Sequence, residues 1–267
     1  MNYSSISKNI RKKILQMAFR AKAGHIASAL SIADILTVLY SGILKISPND
    51  YSNENRDRFI LSKGHAVMAL YATLAERGFF PEKDIENYCK DGSMMPGHST
   101  KNSVPGIEVS TGSLGHGLPM ACGISLAGKK DGKDYRVFVL MGDGEMDEGT
   151  TWEASLFAAH HKLDNLTLIV DYNKLQLFGK TNEVLNLEPL VKKLESFGWS
   201  VREINGHSHS EIESVLSIVP FEEGKPNAVI AHTIKGSGVS FMENKIEWHD
   251  KKLSQDDYYG AIEELKL

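Results

Sequence analysis

The sequence predicts an α/β fold, a mainly parallel sheet with helices packed on both of its faces. Two near-continuous apolar runs, 137–141 (VFVLM) and 166–170 (LTLIV), lack the polar alternation of a strand with a wet face and read as strands buried on both sides. A helical segment separates them, and strand-like and helix-like stretches alternate along most of the chain. Polar residues gather directly after the runs, as Gly142-Asp143-Gly144 and Asp171-Tyr172-Asn173. That edge, at the carboxyl ends of the strands, is where open parallel sheets bind ligands.

Taken in order, residues 4–23 read as an amphipathic helix with Ile10, Ile14, Met17 and Ala21 along one face. Gly24-His25-Ile26-Ala27-Ser28 breaks it, and another helix is expected over about 31–41. A short strand at 59–62 leads into Lys63-Gly64-His65, which opens a helix to about Arg77. Residues 91–110, rich in Gly, Pro and Ser, form a long loop, and loops of that length are usually disordered or functional. The embedded His98 and the following Thr111-Gly112-Ser113-Leu114-Gly115-His116-Gly117 favour function. This glycine-rich segment should begin a helix through Ala127, and it does not match a dinucleotide fingerprint. After the strand at 137–141, Thr150 or Thr151 can N-cap a helix from Trp152 to His161. The strand at 166–170 follows, then a helix at 188–197, a strand at 199–204, a helix at 210–218 and a last strand at 228–232. Thr233 to Gly238 again places a polar loop at a strand end. With no linker or internal repeat, a single domain over 1–267 is expected, with a C-terminal arm from about 243.

Composition narrows the function classes. A chain of 267 residues with 42% hydrophobic and 24% charged residues is an ordinary globular composition with length enough for one large core. A net charge of −4 offers no general attraction to nucleic acid or to an anionic membrane. Two cysteines, Cys89 and Cys122, argue against a disulfide framework and fit a reducing, cytoplasmic setting. The N-terminus lacks the apolar core of a secretory signal, and no apolar run is long enough to span a bilayer.

The residue types at the strand ends suit a diphosphate held through a hard cation. Asp143 offers a carboxylate, Asn173 an amide oxygen and Leu175 a backbone carbonyl, all oxygen donors of the kind Mg²⁺ or Ca²⁺ takes. Gly142 and Gly144 allow a tight turn and close approach of a phosphate to backbone N–H groups, beside a helix N-terminus that favours an anion. Three other readings compete. An EF-hand loop beginning at Asp143 would have Glu148 where Gly is required and Ala154 where the final Glu belongs. A P-loop ending at Gly179-Lys180-Thr181 would have Lys174 at its first glycine. A plain structural turn would account for Gly142-Asp143-Gly144 by itself, and its pairing with an Asn thirty residues later counts against that.

The extended motif, GDGEMDEGTTWEA followed by LDNLTLIVDYNKLQ, resembles the thiamine-diphosphate enzymes and among them the transketolase family. Tyr172-Asn173 departs from the Asn-Asn of many members but keeps the second, metal-binding Asn. Further segments in the family's order are Gly24-His25-xx-Ser28, Arg58-Phe59-xx-Leu61-Ser62-Lys63-Gly64-His65, Pro96-Gly97-His98, Gly112 to Gly117, Lys235-Gly236 and Trp248-His249, so the likeness covers nearly the whole chain. It implies a thiamine-diphosphate-binding fold of the diphosphate-domain type, with Asp143, Asn173 and the Leu175 carbonyl as metal ligands and Lys63, Gly144 and Lys235 as diphosphate contacts. Gly112 and Leu114 would meet the ring region of the cofactor, and His65, Gly142 and Glu145 are further cofactor-side positions. Glu148 resembles the residue that communicates with the catalytic Glu of the neighbouring domain. By residue type alone, Glu145 and Asp147 read as solvated turn acids, and Lys63 and Lys235 as surface lysines.

Ten histidines require separate weighing. His160 and His161 on a helix, and His207 and His209 in a turn, read as solvated; His207 and His209 lack a third metal ligand nearby in sequence. His25, His65, His98 and His249 follow glycines or strand ends and match family positions. Imidazoles titrate near neutrality, so this set can relay protons among sugar hydroxyls, with Ser28 beside them as a substrate contact. The resemblance implies transfer of a two-carbon ketol unit from a ketose phosphate to an aldose. It also implies a separate chain with the pyrimidine-binding domain, in a heterotetramer of two of each chain, because no room for that domain is seen after His249. The alternatives are a subunit like 1-deoxyxylulose-phosphate synthase or like the E1 α chain of a 2-oxoacid dehydrogenase, or a non-catalytic cofactor-binding protein.

Overall fold

A computed structural model describes residues 2–266. Its centre is a five-stranded sheet of β1 (Arg58–Leu61), β2 (Val137–Gly142), β3 (Leu166–Tyr172), β4 (Ser200–Asn205) and β5 (Asn227–His232), in the order β1-β2-β3-β5-β4. Every pairing is parallel. The central strand, β3, is buried at all its positions, which is why its sequence is almost uninterruptedly apolar. Gly142 pairs with Asp171 and Tyr172 with His232, so the carboxyl ends of β2, β3 and β5 finish level along one edge.

Helices cover both faces. The two-residue period of a strand sends Phe138 and Leu140 to one core layer, and Val137, Val139 and Met141 to the other. The first layer is built with α1 (Tyr3–Ala21), α2 (Ile26–Leu30), α3 (Ala33–Val38) and α4 (Val67–Glu76), and the second with α5 (Gly117–Lys130) and α6 (Gly149–His160). Ile10, Ile14 and Met17 of α1 are buried, as their spacing predicts. The short α7 (Thr181–Val184) precedes α8 (Leu190–Ser196), and α9 (His209–Leu216) and α10 (Gln255–Glu264) complete the chain. In the C-terminal arm Trp248 is buried, and Tyr258 of α10 stacks on Phe19 of α1 with ring centroids 4.5 Å apart. No helix among the described residues is long and apolar enough to cross a membrane.

The elements depart from the sequence reading in three places. The helix expected over 31–41 is α3, separated from α2 by a turn at Ser31, where the Ser31 hydroxyl donates back to the Ser28 carbonyl, and it ends in a wider π turn over Leu39–Ile43. Strand β3 runs on through Asp171 and Tyr172, which extends the sheet to the site itself. Neither Thr150 nor Thr151 caps α6. Glu148 holds the cap position with extended backbone and makes no side-chain cap bond, while the Thr150 hydroxyl donates to the Gly115 carbonyl at 2.9 Å.

Candidate active site

At the carboxyl edge of the sheet lies a cavity of about 410 Å³. Four strand ends and two glycine-rich loops build it. From the end of β1, Lys63 turns inward and is almost wholly buried; its Nζ donates to Asp171 Oδ2 at 2.5 Å and to the Ser28 carbonyl at 2.9 Å. From β2, Asp143 Oδ1 accepts the Gly144 amide at 2.7 Å, and its other oxygen accepts the Lys174 amide. Asn173 donates through Nδ2 to Asp171 at 3.0 Å, which fixes the amide so that Oδ1 faces the turn and accepts the Leu175 amide at 3.1 Å. Lys235, from the loop after β5, brings Nζ to 3.0 Å from the Leu175 carbonyl and to 2.8 Å from His249 Nδ1. An ammonium can only donate, so His249 accepts at Nδ1, and as a neutral ring it carries its proton on Nε2.

Glu145 ties three of these segments together. One carboxylate oxygen accepts from the Ser62 hydroxyl and, at 2.9 Å, from the Gly115 amide; the other accepts from the Gly142 amide at 3.3 Å. The expectation of a solvated turn acid is therefore wrong for Glu145, which is buried because three donors converge on it. The loop it holds needs its glycines. Gly115 has φ of +80°, and a Cβ there would meet the Glu148 Cβ at 2.6 Å; a Cβ on Gly117 would meet the Ser62 Oγ at 2.1 Å.

Four imidazoles stand together in the same cavity. His25 lies 5.1 Å from His65, 6.5 Å from His98 and 5.4 Å from His249 between ring centroids, and His65 lies 5.8 Å from His249. His25 is held in the left-handed backbone region, φ +62°, at the start of α2, with its amide bonded to the His249 carbonyl at 2.9 Å. Burial and then neighbouring Lys63 hold His65 well below the usual imidazole range, and burial and then Lys235 lower His249 to about 3. Burial also lowers His25, against the pull of Asp250. His25, His65 and His249 are thereby held toward the neutral form, in which a ring can both accept and donate hydrogen bonds.

Acidic and lysine side chains of the cavity are perturbed as well. Burial, and then the Asp171 carboxylate, push Asp143 up to about 7. Burial alone would also raise Asp171, but Lys63 and the Thr233 and Ser31 hydroxyls hold it below the usual carboxylate range. Burial brings Lys235 down to about 8, opposed by Asp143. Asp143, the Asn173 amide oxygen and the Leu175 carbonyl form an oxygen donor set in which a carboxylate is kept from its ordinary charge and a lysine ammonium already rests on the carbonyl. A divalent cation fits that set.

The residues singled out from the sequence converge on this one cavity: His25, Ser28, Lys63, His65, His98, Gly112, Leu114, Gly142, Asp143, Gly144, Glu145, Glu148, Asn173, Leu175, Lys235 and His249 all line it. Asp147, Asp171, Gln176, Leu177 and Phe178 line it as well and were missed; Asp147, expected as a solvated turn acid, is half-buried and accepts from the Gln176 side-chain amide at 3.1 Å. For Asp171 there was a signal, an acid closing an otherwise apolar strand. His207 and His209 are not solvated: both bond the buried Asp34, at 2.8 and 3.0 Å.

Known proteins resemble this chain in sequence and fold. The family described as "Transketolase, thiamine diphosphate binding domain" matches residues 3–265. An apulose-4-phosphate transketolase subunit from Actinobacillus succinogenes is 47% identical over 97% of this chain and 94% of its own length. The 6-deoxy-6-sulfo-D-fructose transketolase subunit SqwG of a Clostridium species is 41% identical over 96% of this chain and 92% of its own. The solved transketolase of Leishmania mexicana superposes with a TM-score of 0.91 at 28% identity; it aligns with 98% of this chain, which spans 41% of that longer polypeptide. The chain belongs to the transketolase family, as the N-terminal, thiamine-diphosphate-binding subunit of the split form.

Proposed function

We propose that this chain anchors the diphosphate of thiamine diphosphate through Mg²⁺ (or Ca²⁺) held by Asp143, Asn173 and the Leu175 carbonyl, and that with a separate pyrimidine-domain chain it transfers a two-carbon ketol unit from a ketose to an aldose. The observation that carries this is one cavity lined by oxygen donors, two buried lysines and a cluster of four imidazoles. Lys63, Lys235 and the Gly144 amide would hold the diphosphate oxygens, and Gly112 and Leu114 would border the ring region. When bound, the cofactor supplies the carbanion and electron sink that ketol transfer requires. His25, His65, His98 and His249, with Ser28, orient the sugar hydroxyls and accept and return their protons. Glu148, at the cap of α6, would carry the link to the partner's catalytic Glu.

The relatives are named for apulose 4-phosphate and 6-deoxy-6-sulfo-D-fructose. A ketose with an anionic tail is accordingly the donor we assign. The partner chain would cover the apolar surface around Leu156, Leu177, Phe178 and Leu185, all exposed, with Phe178 82% accessible. Obligate interfaces of this kind commonly bury more than about 2,000 Å², and the assembly would hold two of each chain. The diphosphate-binding unit comprises 1–267, and its unpaired Cys89 and Cys122 support a cytoplasmic setting. The test is an assay of aldose release from a ketose phosphate, with this chain alone and mixed with the pyrimidine-domain chain. Activity should appear only on mixing; ketol transfer by the isolated chain would refute the division of labour.

A further inference from the structure

Beneath the loop that carries Lys235 lies a buried polar cluster outside the cavity. Asp34 of α3 is buried and accepts two bonds from the Arg11 guanidinium, at 3.0 and 2.6 Å, one from His209 Nε2 at 3.0 Å and one from His207 Nδ1 at 2.8 Å. The other nitrogen of His207, Nε2, lies 2.8 Å from the backbone amide of Ile234. An amide can only donate, so Nε2 is the acceptor and the proton of His207 sits on Nδ1, facing Asp34. Asp34 thus selects the tautomer that the Ile234 amide needs. The turn carrying His207 is itself pressed against the end of β5: the Gly206 amide donates to the His232 carbonyl at 2.8 Å, and a Cβ on Gly206 would meet Thr233 Cγ2 at 2.4 Å.

The loop is held at two further points. Arg11 Nε donates to the Ser237 carbonyl at 3.0 Å, and the Gly236 amide donates to the Ala27 carbonyl at 3.0 Å. Between the Ile234 and Gly236 anchors stands Lys235, only 1% exposed, whose Nζ reaches the Leu175 carbonyl and His249. A shift of the Ile234 backbone moves the base of that side chain directly.

We propose that His207, with its Nδ1 proton directed to Asp34 and its Nε2 accepting from the Ile234 amide, is a positioning residue for the cofactor cavity, fixing that amide and thereby the loop that delivers Lys235. The proposal rests on Lys235 being a diphosphate contact, as assigned above. It requires an acceptor at the Nε2 position, which separates His207→Phe, retaining the ring without the acceptor, from His207→Gln, whose side-chain oxygen can take its place.

The experiment uses the two-chain protein at fixed Mg²⁺, with thiamine diphosphate affinity and turnover at saturating cofactor measured separately. His207→Phe should weaken cofactor binding roughly threefold to tenfold, the scale of one lost hydrogen bond, while turnover at saturation stays within about twofold of the parent. His207→Gln should restore most of the affinity. Deuterium exchange of the 233–238 segment should rise in the Phe variant and not in the Gln variant. Parent-like affinity in His207→Phe, or equal losses in both variants, overturns the proposal. So does nitrogen-15 NMR of the parent protein, needing no variant, if it finds the His207 proton on Nε2. If the parent protein bound no thiamine diphosphate, the proposed function would fall, and unchanged exchange in His207→Phe would overturn the positioning role independently.

Discussion

Asp171 is the residue on which the floor of the site depends, and replacing it by Asn measures how much. Its side chain is fully buried, and the Lys63 ammonium it faces is 3% exposed, so neither charge has water to fall back on. Oδ2 takes Lys63, Ser31 and Asn173, and Oδ1 takes the Thr233 hydroxyl. In Asp171→Asn the amide oxygen can keep the first three bonds, and the Thr233 hydroxyl can rotate to accept from the new NH₂. Bond count is nearly conserved while the charge is lost. Lys63 is then a buried cation that faces only neutral oxygens in its hydrogen bonds, those of the new amide and of the Ser28 carbonyl. Removing one partner of a buried ion pair costs about 3–5 kcal/mol, which for a chain of this size lowers the melting midpoint by roughly 6–20 °C. Adding Lys63→Met removes the stranded cation and should return most of that loss, because an apolar replacement of a whole buried pair is close to neutral. Thermal melts of the parent, both single variants and the double variant give the coupling directly. An Asp171→Asn midpoint indistinguishable from the parent, or a further fall on adding Lys63→Met, would refute the reasoning.

Two further outcomes follow from the same cavity. Single Ala substitutions at His25, His98 and His249 should each lower turnover by about 10²–10⁴-fold if the ring moves a proton, with cofactor affinity nearly intact; the reverse split, measured in the same assays, would place these rings on the cofactor instead. Stability should fall on acidification. His25, His65 and His249 have folded pKa values below the unfolded value of about 6.5, with His249 at about 3. Below pH 6.5 the unfolded chain therefore takes up protons that the folded chain refuses, and stability drops until pH falls through the folded values. Asp143, raised to about 7, opposes this as its burial cost is relieved when pH falls through 7, and burial raises Glu145 and Asp147 in the same direction. The loss from the three imidazoles begins at about pH 6.5 and runs through pH 5, so the midpoint at pH 5 should lie below that at pH 7, and a higher one would contradict the assignment.

What the sequence made legible was whatever the chain encodes locally. Strands β2, β3 and β5 announce themselves because a strand buried on both faces must be apolar at every position. The cavity residues follow directly on those strands, so Asp143, Asn173 and Lys235 could be found by reading just past each apolar run. Three rings of the histidine set could be found the same way, each beside a glycine: His25 after Gly24, His65 after Gly64 and His98 after Gly97.

The misreadings share one physical cause, a partner distant in sequence. Glu145 sits in the acidic turn EMDE, where a solvated fate is reasonable until the Gly115 amide, thirty positions earlier, and Ser62, still further off, are brought against it. Thr150 is a good capping residue by type, but its hydroxyl is claimed by the Gly115 carbonyl, so α6 begins without a side-chain cap. His207 and Asp34 are 173 positions apart, and only the packing of α3 and α9 turns a loop histidine into a half-buried partner of that carboxylate. The same asymmetry explains why the oxygen donors proposed for the cation were easier to read than what orients them. A ligand must carry a particular atom type near a strand end, which restricts its identity. The groups behind it need only a donor or acceptor at the right place: Asp171 fixes the Asn173 amide, Glu145 the Gly115 loop and His207 the Ile234 amide, each reaching across the fold to a position the local sequence does not reveal.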